Sequence, residues 1–121
     1  MGSNQRQRLG SIAESWGDLL RRVRKYVGGK WTINQCIIMH RIYMDHLNGV
    51  DCTVRDVSES EDIPQQTVSN AVAVFRAEGL VDEVVHPDDG RVKLLSPTEL
   101  ALQRRALWWS EAVGIGSSAK R

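Results

Sequence analysis

A length of 121 residues, 41% apolar residues and a net charge of +1 are typical of one globular, soluble domain. No run approaches the roughly 18 apolar residues that span a bilayer, and residues 1–8 lack the apolar centre of a signal peptide. These features exclude a membrane-spanning chain and predict a cytoplasmic protein. Cys36 and Cys52 have neither the spacing of a metal knuckle nor the density of a disulfide scaffold, so we interpret both as reduced, packed thiols.

The charge is unevenly distributed along the chain. Residues 1–30 carry seven Arg or Lys against two carboxylates, a net +5, while residues 51–95 carry four against ten, a net −6. The basic part is interpreted as a solvated helix face in preference to a nucleic-acid contact. The acidic part disfavours nucleic-acid binding, because the neutralisation of phosphates supplies much of the affinity for DNA. A protein partner therefore stays open as an alternative.

Two helices are predicted before residue 50. Ser11 and Glu14 have the spacing of a capping box, which predicts a helix over 11–27 that Gly28 ends. Thr32 and Gln35 repeat this pattern and predict a second helix to about Asn48. Its Cys36 and His40 stand four residues apart, but two neighbouring ligands without a third are more often packed side chains, so we predict neither a metal nor a cofactor.

A short helix and a longer one follow. Thr53 caps a helix that ends near Asp62, and Pro64 and Gly79 bracket the longer helix. On a helical wheel the longer helix has an apolar side of Val68, Ala71, Val72 and Phe75. Its opposite side is polar and small, comprising Gln66, Ser69, Asn70, Ala73 and Ala77. Amides and a hydroxyl on such a face can exchange hydrogen bonds with base edges in a major groove.

A hairpin is predicted after Gly79, with strands over 81–86 and 91–95 and a turn at 87–90. The order of helix, turn, helix and hairpin predicts a winged helix-turn-helix over 31–95, with the hairpin as the wing. The fold class is mainly α with a small β-hairpin.

The last predicted helix spans 97–113, with Ser96 as its cap and Pro97 in its first turn. Its apolar residues cover more than one face, and large exposed apolar area marks a partner surface. We therefore predict a homodimer built from helices 11–27 and 97–113 of one domain, with 1–9 and 114–121 as flexible tails. The candidate interface residues are Trp16, Leu20, Leu107, Trp108 and Trp109.

From Trp31 to about Leu100 the chain resembles the MarR-type (multiple antibiotic resistance regulator) family of dimeric winged-helix repressors. The matching stretches are Trp31-Thr32-x-x-Gln35, Thr53-Val54, Thr67-Val68-Ser69, Glu78-Gly79-Leu80-Val81, and Pro87-Asp88-Asp89-Gly90-Arg91 leading to Leu95-Ser96. The resemblance implies a wing arginine in the minor groove, Arg91, oriented by Asp88 or Asp89. It also implies DNA contacts at the candidate residues Gln65, Gln66, Thr67, Ser69 and Asn70. Lys93 of the wing is a further candidate for DNA contact. A small-molecule effector pocket is implied too, although no residue pattern identifies its ligand.

Two functions remain open. A homodimeric repressor that reads a palindromic operator in double-stranded DNA explains the polar helix face, the wing arginine and the terminal apolar helices together. A winged helix used for protein recognition, such as an anti-regulator contact, explains the acidic 51–95 segment better. An enzyme is not predicted, because Ser69, His86 and the two histidines of the second helix, His40 and His46, are scattered over separate elements.

Overall fold

The computed structural model of this protein describes residues 3–112, and Val113 and the predicted tail 114–121 lie outside the described residues. The chain divides into two compact units, one of Trp31–Ala106 and one of the described residues within Met1–Lys30 and Leu107–Arg121. The elements are α1 (Ser3–Val27), α2 (Ile33–Leu47), α3 (Val54–Glu61), α4 (Gln65–Ala77), β1 (Val81–His86), β2 (Asp89–Pro97) and α5 (Glu99–Ala112). The predicted winged helix-turn-helix, with five helices and one two-stranded hairpin among these residues, is confirmed.

Helix α1 begins at Ser3, eight residues before the predicted start at Ser11. The capping-box spacing of Ser11 and Glu14 was misleading, because the preceding Gln and Arg residues are good helix formers and extend the helix. Residues 3–9, predicted as part of a tail, are therefore helical. The predicted end is correct, since Gly28 and Gly29 adopt φ angles of 66° and 71°, a left-handed conformation that glycine tolerates.

Helices α2 and α3 begin at the predicted caps. The Thr32 hydroxyl accepts from the Gln35 N–H at 3.1 Å, and the Gln35 side chain accepts from the Thr32 N–H at 2.8 Å, which completes the capping box. Thr53 caps α3 by accepting from the Asp56 N–H at 3.1 Å. Both caps satisfy backbone donors that a helix start otherwise leaves unpaired.

Helix α4 supplies much of the core of the 31–106 unit. Its predicted apolar side, Val68, Ala71, Val72 and Phe75, is buried. Phe75 packs against Trp31 with ring centroids 4.7 Å apart and planes inclined by 47°. The remaining buried apolar residues come from α2, α3, both strands and the start of α5, and include Ile38, Ile42, Val57, Leu80, Leu95 and Ala101. Pro64 stands at the N-cap position of α4, immediately before the first helical residue, Gln65.

Strands β1 and β2 pair antiparallel from Val81 opposite Pro97 to Val85 opposite Lys93. Strand β2 begins at Asp89, two residues earlier than predicted. The hairpin is tied to the rest of the unit because the Leu95 N–H donates to the Cys52 carbonyl at 2.7 Å. The wing therefore has a fixed base next to the start of α3.

Helix α5 starts two residues later than predicted, and Ser96 is not its cap. Ser96 and Pro97 end β2, and Thr98 accepts the Ala101 N–H at 3.2 Å in the capping role. The Thr98 hydroxyl donates to the Gly79 carbonyl at 2.6 Å and the Thr98 N–H donates to the Leu80 carbonyl at 3.0 Å. These hydrogen bonds join residues far apart in the sequence, so a local pattern could not predict them. They place the cap of α5 at Thr98, one residue after Pro97.

Two ion pairs join elements of the 31–106 unit. Arg41 of α2 lies 3.4 Å from Glu61 of α3, and Arg76 of α4 lies 3.0 Å from Glu83 of β1. Glu61 and Glu83 are both partly shielded from solvent, where an unpaired carboxylate is costly. Among the described helices, none has the length and apolar content needed to cross a membrane.

Candidate nucleic-acid interface

The outward face of α4 carries most of the predicted DNA-contacting residues. Gln65, Gln66, Ser69 and Asn70 are exposed, and Thr67 is half-buried at the edge of the core. The face is available because the opposite side of the helix is filled by apolar residues that pack inward. Gln66 donates through Nε2 to Oδ1 of Asn70 at 2.9 Å, so two of the predicted residues are already paired with each other.

The wing carries a β-bulge at its tip. The register passes from Val85 opposite Lys93 to His86 opposite Asp89, so Gly90, Arg91 and Val92 of β2 have no partner in β1. A bulge bends its strand and redirects side chains. Here it presents Arg91, whose side chain is 93% exposed, at the tip of the wing. Lys93 is exposed two residues further along the same strand.

Asp89 is the acidic residue that contacts Arg91. Its Oδ1 accepts the Arg91 N–H at 3.1 Å and lies 3.4 Å from Nε of the guanidinium. The Asp88 N–H donates instead to Nδ1 of His86 at 3.0 Å. The sequence left Asp88 and Asp89 as alternatives, and the geometry places only Asp89 against the arginine.

Several carboxylates of the acidic 51–95 segment lie in ion pairs. Four of its ten carboxylates lie near an arginine: Glu59 near Arg55, Glu61 near Arg41, Glu83 near Arg76 and Asp89 near Arg91. A fifth carboxylate, Asp51, lies 3.8 Å from Nε2 of His86. Arg55, Arg76 and Arg91 are already counted in the net charge of −6, so only Arg41, which lies outside the segment, lowers its negative charge further, to a net −5.

The predicted interface residues of the terminal helices belong to the other unit. Trp16 and Leu20 are exposed on α1 and continue a stripe with Leu9 and Ile12 at helical spacing. Leu107 of α5 is 64% exposed. The side chains of Trp108 and Trp109, also predicted at this interface, lie outside the described residues.

The two cysteines are poorly suited to redox chemistry. Burial raises the pKa of Cys52 to about 12, and the neighbouring carboxylate Asp45 adds to this shift. Burial also raises the pKa of Cys36, although Arg105 opposes the change. His40, four residues from Cys36, has its pKa lowered by burial and by the nearby Arg105 and Arg41. Among the described residues, no three His, Cys, Asp or Glu side chains are grouped to hold a metal ion.

Replacing both cysteines with alanine is expected to leave DNA affinity and its response to oxidant unchanged. A thiol whose pKa is raised forms little of the thiolate that reacts with oxidants. Loss of the buried Cys52 sulfur should lower the free energy of unfolding by about 1 kcal/mol. Binding titrations with and without hydrogen peroxide, beside urea denaturation, measure both effects. Oxidant-sensitive binding that the double variant loses would show a sensor.

Sequence reasoning missed three contacts of this surface. The Gln66 to Asn70 bond has the i, i+4 spacing of side chains that meet on a helix, so the spacing was a usable signal. The pairing of Arg55 with Glu59 on α3 has the same spacing and could also have been read. The pairing of Arg41 with Glu61 joins residues of different helices, so it could not be predicted from the spacing of residues along the chain.

Comparisons with known proteins agree with this geometry. A model of the MarR family matches residues 37–92, which confirms the resemblance seen in the sequence. Among curated protein sequences, none matches this chain significantly.

Solved structures of Staphylococcus aureus MepR and E. coli MarR are similar to this chain in fold. A mutant of Staphylococcus aureus MepR bound to an oligodeoxyribonucleotide is 15% identical, with a TM-score of 0.76 over 98% of this chain and 83% of that one. S. aureus MepR bound to ethidium bromide is 15% identical, with a TM-score of 0.69 over 98% and 80%. An E. coli MarR mutant complexed with operator DNA is 16% identical, with a TM-score of 0.61 over 88% and 75%.

Proposed function

We propose that this chain, of which residues 37–92 match a model of the MarR family, is a homodimeric, sequence-specific DNA-binding repressor. Helix α4 enters the major groove of each half of a palindromic operator, and the wing enters the adjacent minor groove. The observation that carries this proposal is that the 31–106 unit presents both a polar, small face on α4 and an oriented arginine on the wing.

The face of α4 suits the major groove in shape and chemistry. Ser69 and Ala73 are small and exposed, so the helix backbone can approach base edges closely. The amides of Gln66 and Asn70 offer the donors and acceptors that distinguish base pairs there. In the solved complexes, MepR is bound to an oligodeoxyribonucleotide and MarR to operator DNA, which supports a nucleic-acid role for the same fold.

The wing suits the minor groove because it presents one positioned cation. Asp89 fixes the Arg91 backbone and lies beside its guanidinium, so the side chain leaves the hairpin in a defined direction. A narrow, A·T-rich minor groove has an enhanced negative potential that attracts arginine. The wing is therefore suited to contact the minor groove of A·T-rich DNA next to the major-groove site.

The alternative function is recognition of a basic protein by the acidic 51–95 surface. Its net charge of −6 favours this alternative. The ion pair of Glu61 with Arg41 of α2 lowers this negative charge only by one, but the alternative leaves the small polar face of α4 and the wing arginine beside Asp89 without a role. DNA binding is therefore the function that the described residues support best.

A salt titration of binding to random duplex DNA tests the proposal. A DNA reader shows weak non-specific affinity that falls steeply as salt rises, because binding releases counterions from phosphates. Absence of any binding at low salt would favour protein recognition. Selection of bound duplexes from a random library is the complementary measurement, and a palindromic consensus would establish both the specificity and the two-fold symmetry.

The homodimer is proposed from the apolar stripe of α1. Leu9, Ile12, Trp16 and Leu20 are all exposed in the single chain, although each is a large apolar side chain. Such a contiguous patch on a protein marks an interaction surface, and a two-fold contact between identical chains is the commonest way to bury one. Helix α5, with Leu107 and the predicted anchors Trp108 and Trp109, completes the proposed interface.

Trp16→Ala is expected to weaken the dimer by at least tenfold, because an aromatic anchor at an interface often carries about 2 kcal/mol or more. The side chain is 58% exposed in the single chain, so its loss should leave the fold intact. Leu47→Ala is the matched control, since Leu47 is 57% exposed and lies outside the proposed interface. Sedimentation over a range of concentrations measures dissociation. A parent chain that is monomeric at micromolar concentration, or equal dissociation of both variants, would contradict the assignment.

A further inference from the structure

The ion pair of Arg76 with Glu83 joins the two elements that carry the candidate DNA contacts, α4 and the wing. Arg76 lies in the last turn of α4, and Glu83 lies on β1. Nη1 of the arginine is 3.0 Å from Oε1 of the glutamate. The Glu83 side chain is only 17% exposed, so its carboxylate is costly to leave unpaired. The carboxylate therefore favours the wing position in which it meets the arginine.

The segment before α3 holds the same part of the wing from another side. Leu95 is the partner of Glu83 in the hairpin, and its N–H donates to the Cys52 carbonyl at 2.7 Å. His86, at the end of β1, lies 3.8 Å from Asp51. These contacts fix the wing relative to the start of α3. The ion pair of Glu83 fixes it relative to α4.

The position of Arg91 depends on the angle at which the wing leaves this point. From Leu95 to Arg91 the strand runs over four residues, a length of about 13 Å at 3.3 Å per residue. A tilt of about 10° therefore moves the tip by about 2 Å, more than the roughly 0.5 Å within which a binding group has to be held. A contact near Glu83 can thus control whether Arg91 reaches its groove.

We propose that Glu83 is a positioning residue, which through Arg76 sets the wing at the angle to α4 that brings Arg91 into the minor groove. This assignment rests on the proposed function and deepens it by naming the contact that couples α4 to the wing. The competing role for Arg76 is direct contact with a DNA phosphate, since its side chain is exposed. In that role Glu83 competes with the phosphate for the arginine.

Glu83→Gln separates the two roles by the sign of its effect. The variant keeps the shape of the side chain and removes the charge that holds Arg76. If the pair positions the wing, the preference for A·T-rich over G·C-rich flanks falls by about fivefold. If Arg76 binds a phosphate, the variant binds DNA with either flank more tightly, because the arginine is released and a negative charge is lost.

A charge-swapped variant tests the pair itself. Arg76→Glu combined with Glu83→Arg keeps the net charge of the parent and restores opposite charges between α4 and β1, so it should recover most of the flank preference. Each swap alone places like charges at this contact and should lose it. The matched control is Glu59→Gln, which removes a carboxylate 3.2 Å from Arg55. That ion pair lies within α3, so the flank preference should stay parental.

Titration of the full chain measures the preference, using one duplex recovered by selection from a random library and made with A·T-rich or G·C-rich flanks. Residual dipolar couplings of the backbone amides measure the orientation of the wing relative to α4 without DNA. They should change in Glu83→Gln and return in the charge-swapped variant. Thermal unfolding shows that each variant is folded, and a loss of stability alone would not change which flank is preferred.

The assignment is overturned if Glu83→Gln keeps the parental flank preference or tightens binding to both duplexes. It is also overturned if Glu59→Gln loses as much preference, or if the charge-swapped variant recovers neither the preference nor the couplings. Failure of the proposed function is seen in the parent instead, as recovery of no duplex or equal binding of both flanks. The role of Glu83 in reading DNA then fails too, and unchanged couplings in Glu83→Gln would show that it does not orient the wing either.

Discussion

Replacing Phe75 with alanine is expected to lower the free energy of unfolding by about 3–5 kcal/mol. Phe75 is among the largest fully buried side chains described and packs against the Trp31 ring at 4.7 Å. Truncation leaves a cavity between α4 and the segment before α2, which the surrounding helices can fill only in part. Because domains of this size are stable by only about 5–15 kcal/mol, this one change removes a large share of the total.

Urea denaturation of the full chain, at equal concentrations of parent and variant, measures the loss. Val74→Ala is the matched control on the same helix. Val74 is 38% exposed, and alanine favours the helix more than valine does, so its effect should stay within about 0.5 kcal/mol. A loss below about 1 kcal/mol for Phe75→Ala would mean that the packing around α4 does not hold the unit together.

The core of the winged helix could be predicted because its signals are local. The apolar residues of α4 recur at helical spacing, and all four predicted to face inward are buried. The Thr32 and Thr53 caps were also correct, since each depends on residues three positions apart. Patterns of this kind reflect the periodicity of the helix itself. In this fold the side chains that the pattern places inward are also the ones that pack in the core.

The wrong predictions concern the starts of two helices, α5 and α1. Ser96 and Pro97 have the pattern of a helix start, yet they extend β2 because pairing with β1 continues to Val81. Thr98 caps α5 instead, held by hydrogen bonds to Gly79 and Leu80. At Ser11 the opposite error occurred, because a valid capping pattern stands inside a longer helix. In both places the sequence has the pattern of a helix start. The backbone hydrogen bonds of the strand β2 or of the longer helix α1 continue through that pattern, so no helix starts there.

The candidate site was predicted in outline but not in its internal contacts. The sequence identified the polar face of α4 and the wing arginine, and it could not choose between Asp88 and Asp89. The choice depends on the bulge at Gly90, Arg91 and Val92, which turns the Arg91 N–H toward the Asp89 carboxylate. A register irregularity of this kind follows from strand pairing as a whole.

Replacing Arg91 with alanine is expected to lower operator affinity by about 1–3 kcal/mol while the fold and the proposed dimer stay intact. The side chain is 93% exposed and lies beside a carboxylate, so its removal costs little stability. A single arginine beside Asp88 and Asp89 is poorly suited to general attraction of DNA, since the local charge is negative. Its contribution must therefore come from a specific position, and the loss should be largest on operators with A·T-rich flanks.

Two neighbouring variants separate orientation from charge. Asp89→Ala leaves the arginine in place but removes both contacts that position it, so a smaller loss than that of Arg91→Ala is expected. Asp88→Ala is the matched control, because it removes the same charge from the same turn, whereas the carboxylate that lies against the arginine is that of Asp89. If charge alone mattered, the two aspartate variants would both bind DNA more tightly, since each removes a negative group near phosphate. Weaker binding by Asp89→Ala alone would show that the carboxylate positions the guanidinium.

Titration of the three variants and the parent against operators with A·T-rich and G·C-rich flanks measures all of these effects. Equal binding of both operators by Arg91→Ala and the parent would mean that the wing does not read the minor groove. In that case α4 would have to supply the whole of the specificity from one short polar face. Residues 51–95 have a net charge of −6, which disfavours contact with phosphates. Without a wing contact to offset this charge, recognition of a basic protein would be the better-supported function.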